Sequence, residues 1–158
     1  MRNEDDAPLP STTSPAGDGY PTEAAWAAHL IDQPYSAVNS GTPVVGIVRV
    51  RGTEKAFEFT PGGGYWTEQA RQRLIELNAP PWARQVYYHV EMQVAAWMVT
   101  TGTRRVELVI NREPCGERFG QGCHQALSAF LPVGFCLSVS GTRGGDRHYL
   151  HDYDGKAR

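Results

Sequence analysis

Apolar positions along the chain change period several times, and each change marks an element. Residues 1–21 carry no periodic pattern and are rich in Pro, Ser, Thr, Asp and Gly. They read as a flexible tail or linker. Thr22 can cap a short helix over 23–31, where Ala24, Trp26, Ala27 and Leu30 make a partial apolar face. Residues 44–50 are β-branched and end at the turn-like Arg51-Gly52-Thr53, with a second strand over 55–59. That pair predicts a hairpin. Pro61-Gly62-Gly63-Gly64 then forms a loop. Ala70, Leu74 and Leu77 recur at helical spacing within 67–77, and Ala79-Pro80-Pro81 stops that helix.

Val90, Val94, Trp97 and Met98 define the next helix, with Gly102 as its stop. A short buried strand follows over 106–110, and a polar loop runs through Gly122. Ala126, Leu127 and Phe130 predict a helix over 123–131, followed by strands over 135–139 and 148–153. From position 44 the order is β-β-α-α-β-α-β-β. Helices alternating with single strands argue for an α/β sandwich of two or three layers around a largely central sheet. Residues 22–158 form one domain in this reading.

Composition sharpens the picture only in places. The chain has 158 residues, 41% of them hydrophobic and 20% charged, which suits a globular domain with its own core. Net charge is −2, so attraction to phosphate must come from a local patch. The charge is uneven. Residues 1–50 hold two of the 15 basic and six of the 17 acidic residues, which leaves 13 basic and 11 acidic residues beyond position 50. No run is long enough to span a membrane, and the first twenty residues lack the apolar stretch of a secretory signal. Three cysteines are too few for a disulfide framework.

The candidate chemistry lies in two runs. His89-Val90-Glu91 opens an apolar helix, and Pro114-Cys115 follows a strand, with Cys123 soon after at the start of the next helix. One imidazole and two thiolates hold zinc by three ligands and leave a position open for water, which distinguishes a catalytic zinc from a closed one. Helix N-termini favour the thiolate. Glu91, two residues from His89, is placed to move protons between water and a substrate. Alternatives exist for each residue. His89, Cys115, Cys123 and Cys136 would make a closed structural site, although Cys136 sits inside a strand. Cys115 and Cys123 can also be read as plain thiols, and His124 can be read as a ligand in place of Cys123.

Candidate substrate contacts surround these runs. Arg118 and Phe119 in the loop offer a cation and a stacking face, Tyr87 and Tyr88 precede the histidine, and Tyr65-Trp66 follow the glycine run. Asn111 is placed to hydrogen-bond a nucleotide. Core packing is the plainer reading for any one aromatic, a solvated charge for Arg118, and loop bracing for Asn111. Arg143, Arg147, Lys156 and Arg158 give a mildly basic C-terminal stretch.

His89-Val90-Glu91, the helix through Met98, Val109-Ile110-Asn111 before Pro114-Cys115, Gly122-Cys123, and Leu131-Pro132 with Gly134 resemble the bacterial DddA-like DNA cytosine deaminases, found mainly as toxin domains. Gly46-Ile47-Val48 and Pro61-Gly62-Gly63 are similar to that family's first hairpin and glycine loop. The likeness covers about residues 30–153. It implies a cytidine deaminase-like three-layer α/β/α sandwich with a central mixed sheet of about five strands. It also implies Zn2+ on His89, Cys115 and Cys123, with Glu91 as proton shuttle, and conversion of cytosine to uracil in single- or double-stranded DNA. An immunity protein is the implied partner, and the bacterial cytoplasm, reached after export into a target cell, the implied place of action. One departure stands out. The usual C-x-x-C is C-x7-C here, so residues 116–122 must bulge for Cys123 to return to the metal. Deamination of RNA or free nucleosides, or a non-catalytic zinc module, are the competing functions.

Overall fold

The computed structural model describes residues 11–115 and 122–158. A five-stranded mixed sheet runs through the centre in the order β4-β3-β5-β6-β7. Strands β3 (Gly46–Val50) and β4 (Phe57–Phe59) form the expected antiparallel hairpin. Strand β5 (Arg105–Ile110) pairs antiparallel with β3 and parallel with β6 (Cys136–Gly144), and β7 (Arg147–Asp154) returns antiparallel to β6.

Alternation along the central strands supplies both faces of the sheet. Val48, Val106, Leu108 and Ile110 point to one side and pack under three helices: α2 (Tyr65–Glu76), α3 (Val90–Thr101) and α4 (Cys123–Phe130). Helix α3 is apolar nearly all round because it is covered on every side; Val90, Met92, Val94, Ala95, Ala96 and Met98 are all buried. Gly102, at φ 70°, ends it in the left-handed cap that glycine accepts without strain. On the other face, Ile47 and Val109 meet Tyr20, Ala24, Ala27, Ala28 and Ile31. The fold is therefore a three-layer α/β sandwich whose second outer layer is thin.

That thin layer corrects two expectations. Residues 11–21 are not a loose tail but an antiparallel pair, β1 (Ser11–Thr13) and β2 (Gly19–Pro21), and Tyr20 is 0% exposed. Their partners are remote in sequence. The Gly19 N–H donates to the Gly145 carbonyl at 2.6 Å, and the Asp18 carboxylate accepts the Tyr35 and Gly145 N–H groups. Residues 1–10 lie outside the described residues. The helix expected over 23–31 is a 3-10 turn, Thr22–Ala24, followed by the single turn α1 (Ala25–Ala28), and Thr22 makes no cap. Elsewhere the bounds shift slightly. Helix α2 ends at Glu76 because Asn78 turns left-handed at φ 54°, two residues before Pro80.

Two glycines set how closely layers approach. A Cβ on Gly46 would lie 2.5 Å from Val90, so its absence lets the start of α3 settle on β3. A Cβ on Gly141 of β6 would lie 2.3 Å from the Arg112 carbonyl oxygen, so the chain leaving β5 can cross this strand only at a glycine. Strands β5 and β6 are the parallel pair, and open α/β sheets bind ligands beyond the carboxyl ends of such strands.

Candidate active site

Three chain segments meet at that edge. His89 is the N-cap of α3, with an extended backbone; its carbonyl accepts the Gln93 N–H at 3.0 Å while its ring makes no cap and is left to turn inward. Glu91 follows in the first turn and is 0% exposed. The Gln93 amide donates to the carbonyls of Thr60 and Tyr88, tying the glycine loop and the approach to His89 onto the helix. Cys115 comes from the stretch after β5. Cys123 is the first residue of α4, and its N–H donates to the Cys115 sulfur at 3.2 Å. A helix N-terminus thus faces a thiol, which favours the thiolate.

The three candidate ligands converge. His89 Nδ1 lies 3.2 Å from Cys123 Sγ and 3.3 Å from Cys115 Sγ, and all three donor atoms lie within 4.8 Å of one another. The hydrogen bond with Cys123, opposed by burial and helped by His89, brings the Cys115 thiol down to about 5. Burial pushes Cys123 up. A divalent cation held by both sulfurs would displace any proton that the pair still carries. One imidazole and two sulfurs are a zinc donor set. No fourth ligand joins the group among the described residues. Cys136 stands apart in β6 beside Asp154 and Ser138, so the closed four-ligand site is not formed. His124, the alternative ligand, points its Nδ1 at the Tyr153 hydroxyl, 2.8 Å away.

Arg112 is the residue that sequence reasoning missed. Its Nη2 donates to Glu91 Oε2 at 3.1 Å and lies 3.3 Å from His89 Nδ1. Burial pushes the Glu91 carboxyl up, but the charges of Arg112 and His89 outweigh it and hold the group below the usual carboxylate range. Glu91 reciprocates by keeping Arg112 charged. The second carboxylate oxygen, Oε1, is buried with no hydrogen-bond partner among the described residues. A buried, ionised oxygen without a donor is expensive. Beside an open zinc position it is the oxygen that would accept a proton from water, so the residues fit the metal.

A cleft of about 620 Å³ opens onto His89, Arg112 and Cys115, walled by the 35–42 loop and by Tyr88, Glu113, Pro114, Arg143 and Arg147. A family model, the SCP1.201-like deaminases, matches residues 23–156 of the chain. The chain belongs to that deaminase family. No curated protein and no solved structure matches it. As a deaminase it is a hydrolytic enzyme, and two members of the His/Cys/Cys cluster, His89 and Cys115, line the cleft.

The remaining candidates divide. Tyr88 is 44% exposed, lines the cleft and stands edge-on to His89 with ring centres 4.6 Å apart. Tyr87 and Trp66 pack against the core instead, and Tyr65 does not line the cleft. Asn111 does not face the cleft at all. It is 0% exposed; its Oδ1 accepts the Val45 N–H at 2.8 Å, and its Nδ2 donates to the Pro34 and Pro43 carbonyls, both at 2.9 Å. It braces the loop that walls the cleft, leaving nothing for a nucleotide. Arg118 and Phe119 lie outside the described residues. Of the basic C-terminal residues, Arg143 and Arg147 line the cleft, whereas Lys156 and Arg158 do not.

Proposed function

We propose that this deaminase is zinc-dependent and converts cytosine to uracil in DNA. The observation that carries the reading is the partnerless Oε1 of buried Glu91 beside a three-donor nitrogen and sulfur cluster. When bound there, zinc makes water a nucleophile at neutral pH. Glu91 is ionised and held in one rotamer by Arg112, so it takes the proton that the attacking water releases at C4 of the base. The same carboxyl then delivers that proton to the ring nitrogen, and carries the second proton, from the new C4 hydroxyl, to the amine as the C4–N bond breaks and ammonia leaves. Burial of Glu91 keeps bulk water from competing for the proton. Tyr88 offers a flat face at the mouth on which a base can stack.

DNA as substrate, and a DddA-like toxin domain with an immunity protein as partner, rest on the resemblance of the His89-Val90-Glu91 and Pro114-Cys115 runs. The testing experiment is a strand-specific uracil assay. Zinc-loaded protein is incubated with single- and double-stranded oligodeoxynucleotides, matched RNA and free cytidine. Uracil is expected in DNA, with about one zinc per chain by metal analysis. Turnover of cytidine alone would overturn the DNA assignment. Turnover by Glu91→Ala at the wild-type rate would overturn the proton shuttle. Among the described residues no helix is long and apolar enough to cross a membrane.

A further inference from the structure

The thin second layer leaves part of the sheet uncovered. Ile47 and Val109 are buried under it, but beyond them a pocket of about 200 Å³ opens on the face opposite α2, α3 and α4. The strand register gives its floor. Glu107, Ser138 and Asp152 are direct partners across β5, β6 and β7, and Val109, Ser140 and Leu150 make the next row. Both rows share the side that Val109 faces, because side chains two apart on a strand point the same way. Glu23 from the 3-10 turn, Trp26 from α1 and Arg51 past the end of β3 close the sides. Neither Glu91 nor any of the three candidate zinc ligands lines it.

One wall of this pocket already carries its own cation. Arg49 pairs with Glu107 at 2.5 Å and lies over the Trp26 ring, 4.3 Å from its centre. The other two acids have none: Asp152 and Glu23 enter no ion pair among the described residues. On the floor, Ser140 is 5% exposed, and its hydroxyl makes no hydrogen bond among the described residues. Its strand is paired on both sides, which fixes the direction of the side chain. A buried, unmatched hydroxyl is costly unless a bound group supplies the partner. Leu150, 48% exposed, adds an apolar surface to the same pocket. Carboxylates, a hydroxyl acceptor and an apolar wall together suit a cationic head on a carbon stem. A divalent metal is a poor match, because strands spaced about 4.8 Å apart leave the Cα atoms of Glu107 and Asp152 roughly 10 Å from each other. Arg51, at the β3 end, bars a second positive group. We propose that this pocket binds one alkylammonium or alkylguanidinium group, with its head on Asp152, Glu23 and the Ser140 hydroxyl and its stem along Leu150. The group comes from a free amine or guanidine, or from a lysine or arginine side chain of another protein. The site is separate from the deaminase centre and does not rest on the reaction assigned there.

Backbone amide NMR spectra of the zinc-loaded protein are followed while n-butylguanidinium is added up to about 10 mM. Saturable shifts are expected at Ser138, Ser140, Leu150 and Asp152, and the neutral isostere n-butylurea should cause none. Asp152→Asn, at an exposed position, is expected to weaken binding about tenfold, and Glu23→Gln by about as much. Ser140→Ala should weaken it about threefold and, because it removes an unmatched hydroxyl, leave the unfolding midpoint unchanged or higher. N-acetyl-arginine methylamide is titrated alongside, and the tighter of the two cations names the source as a free molecule or a protein side chain. Absence of saturation with either cation, shifts confined to the cleft around His89, equal shifts with the urea, or unchanged affinity in both charge variants would overturn the site. A lowered midpoint in Ser140→Ala would overturn it too, because the hydroxyl would then have a partner within the fold.

Discussion

Asn111 and Glu91 are both polar and both wholly buried, yet they stand for opposite uses of a buried polar group. Asn111 has each of its hydrogen-bonding atoms matched to backbone: one acceptor to Val45 and two donations to Pro34 and Pro43. Glu91 has one oxygen matched to Arg112 and one matched to nothing described. A saturated group fixes a shape, whereas an unsaturated charge is retained only where something else needs it. The lesson is that burial does not distinguish a brace from a reactive group; the count of satisfied atoms does.

This contrast can be broken at four points, from the largest effect down. Chelation of zinc, or Cys123→Ser, is expected to take deamination below detection and metal content to near zero, with activity of the wild type restored by added zinc. Retained activity after complete metal removal would mean that the cluster is not the reactive centre. Glu91→Gln keeps the shape but not the charge. It should lower turnover by about 10²–10⁴-fold while zinc content stays near one per chain. A variant that lost both would place Glu91 among the structural groups with Asn111.

Arg112→Ala comes next. It leaves Glu91 buried without its charge partner, and turnover should fall by about tenfold to a hundredfold, since a charge-assisted contact of roughly 1.5–3 kcal/mol is lost. Arg112→Lys should recover part of that loss, because the charge remains without the planar fork. Full activity in Arg112→Ala would show that Glu91 needs no orienting partner. Asn111→Ala should act on stability instead. Strands of unmatched backbone at Val45, Pro34 and Pro43 predict a loss of about 2–4 kcal/mol in denaturant unfolding, with turnover per folded molecule changed only a few-fold. A stable Asn111→Ala variant that cannot bind nucleotide would reverse the assignment.

Much of this arrangement was legible because it is written locally. The element order from β3 to β7 follows from apolar spacing, and the positions of His89, Cys115 and Cys123 at element ends follow from where those runs start and stop. What was hidden depends on partners distant in sequence. The β1–β2 pair looks like a linker because its stabilising contacts, through Tyr20 and Asp18, come from residues up to 127 positions away. Asn111 reads equally well as a brace or a ligand until the 34–45 loop folds over it. Arg112 has no local mark beyond standing two residues before Pro114-Cys115; only convergence of β5 and α3 shows it beside Glu91. Strand β6 runs on to Gly144, past the apolar stretch that predicted it, because Ser140 and Thr142 are buried by neighbours that their own polarity does not announce.

Gly141 carries a consequence out of proportion to its size. It touches no reacting atom, yet the Arg112 carbonyl passes where its side chain would begin. A methyl there must push away the short connection that bears Arg112, Glu113, Pro114 and Cys115 together. One substitution in the middle of a strand would then spread the imidazole and sulfurs and unseat the guanidinium at once. Gly141→Ala is therefore expected to present as a protein that folds but releases its ion during purification, a defect a mutational screen would misfile as remote.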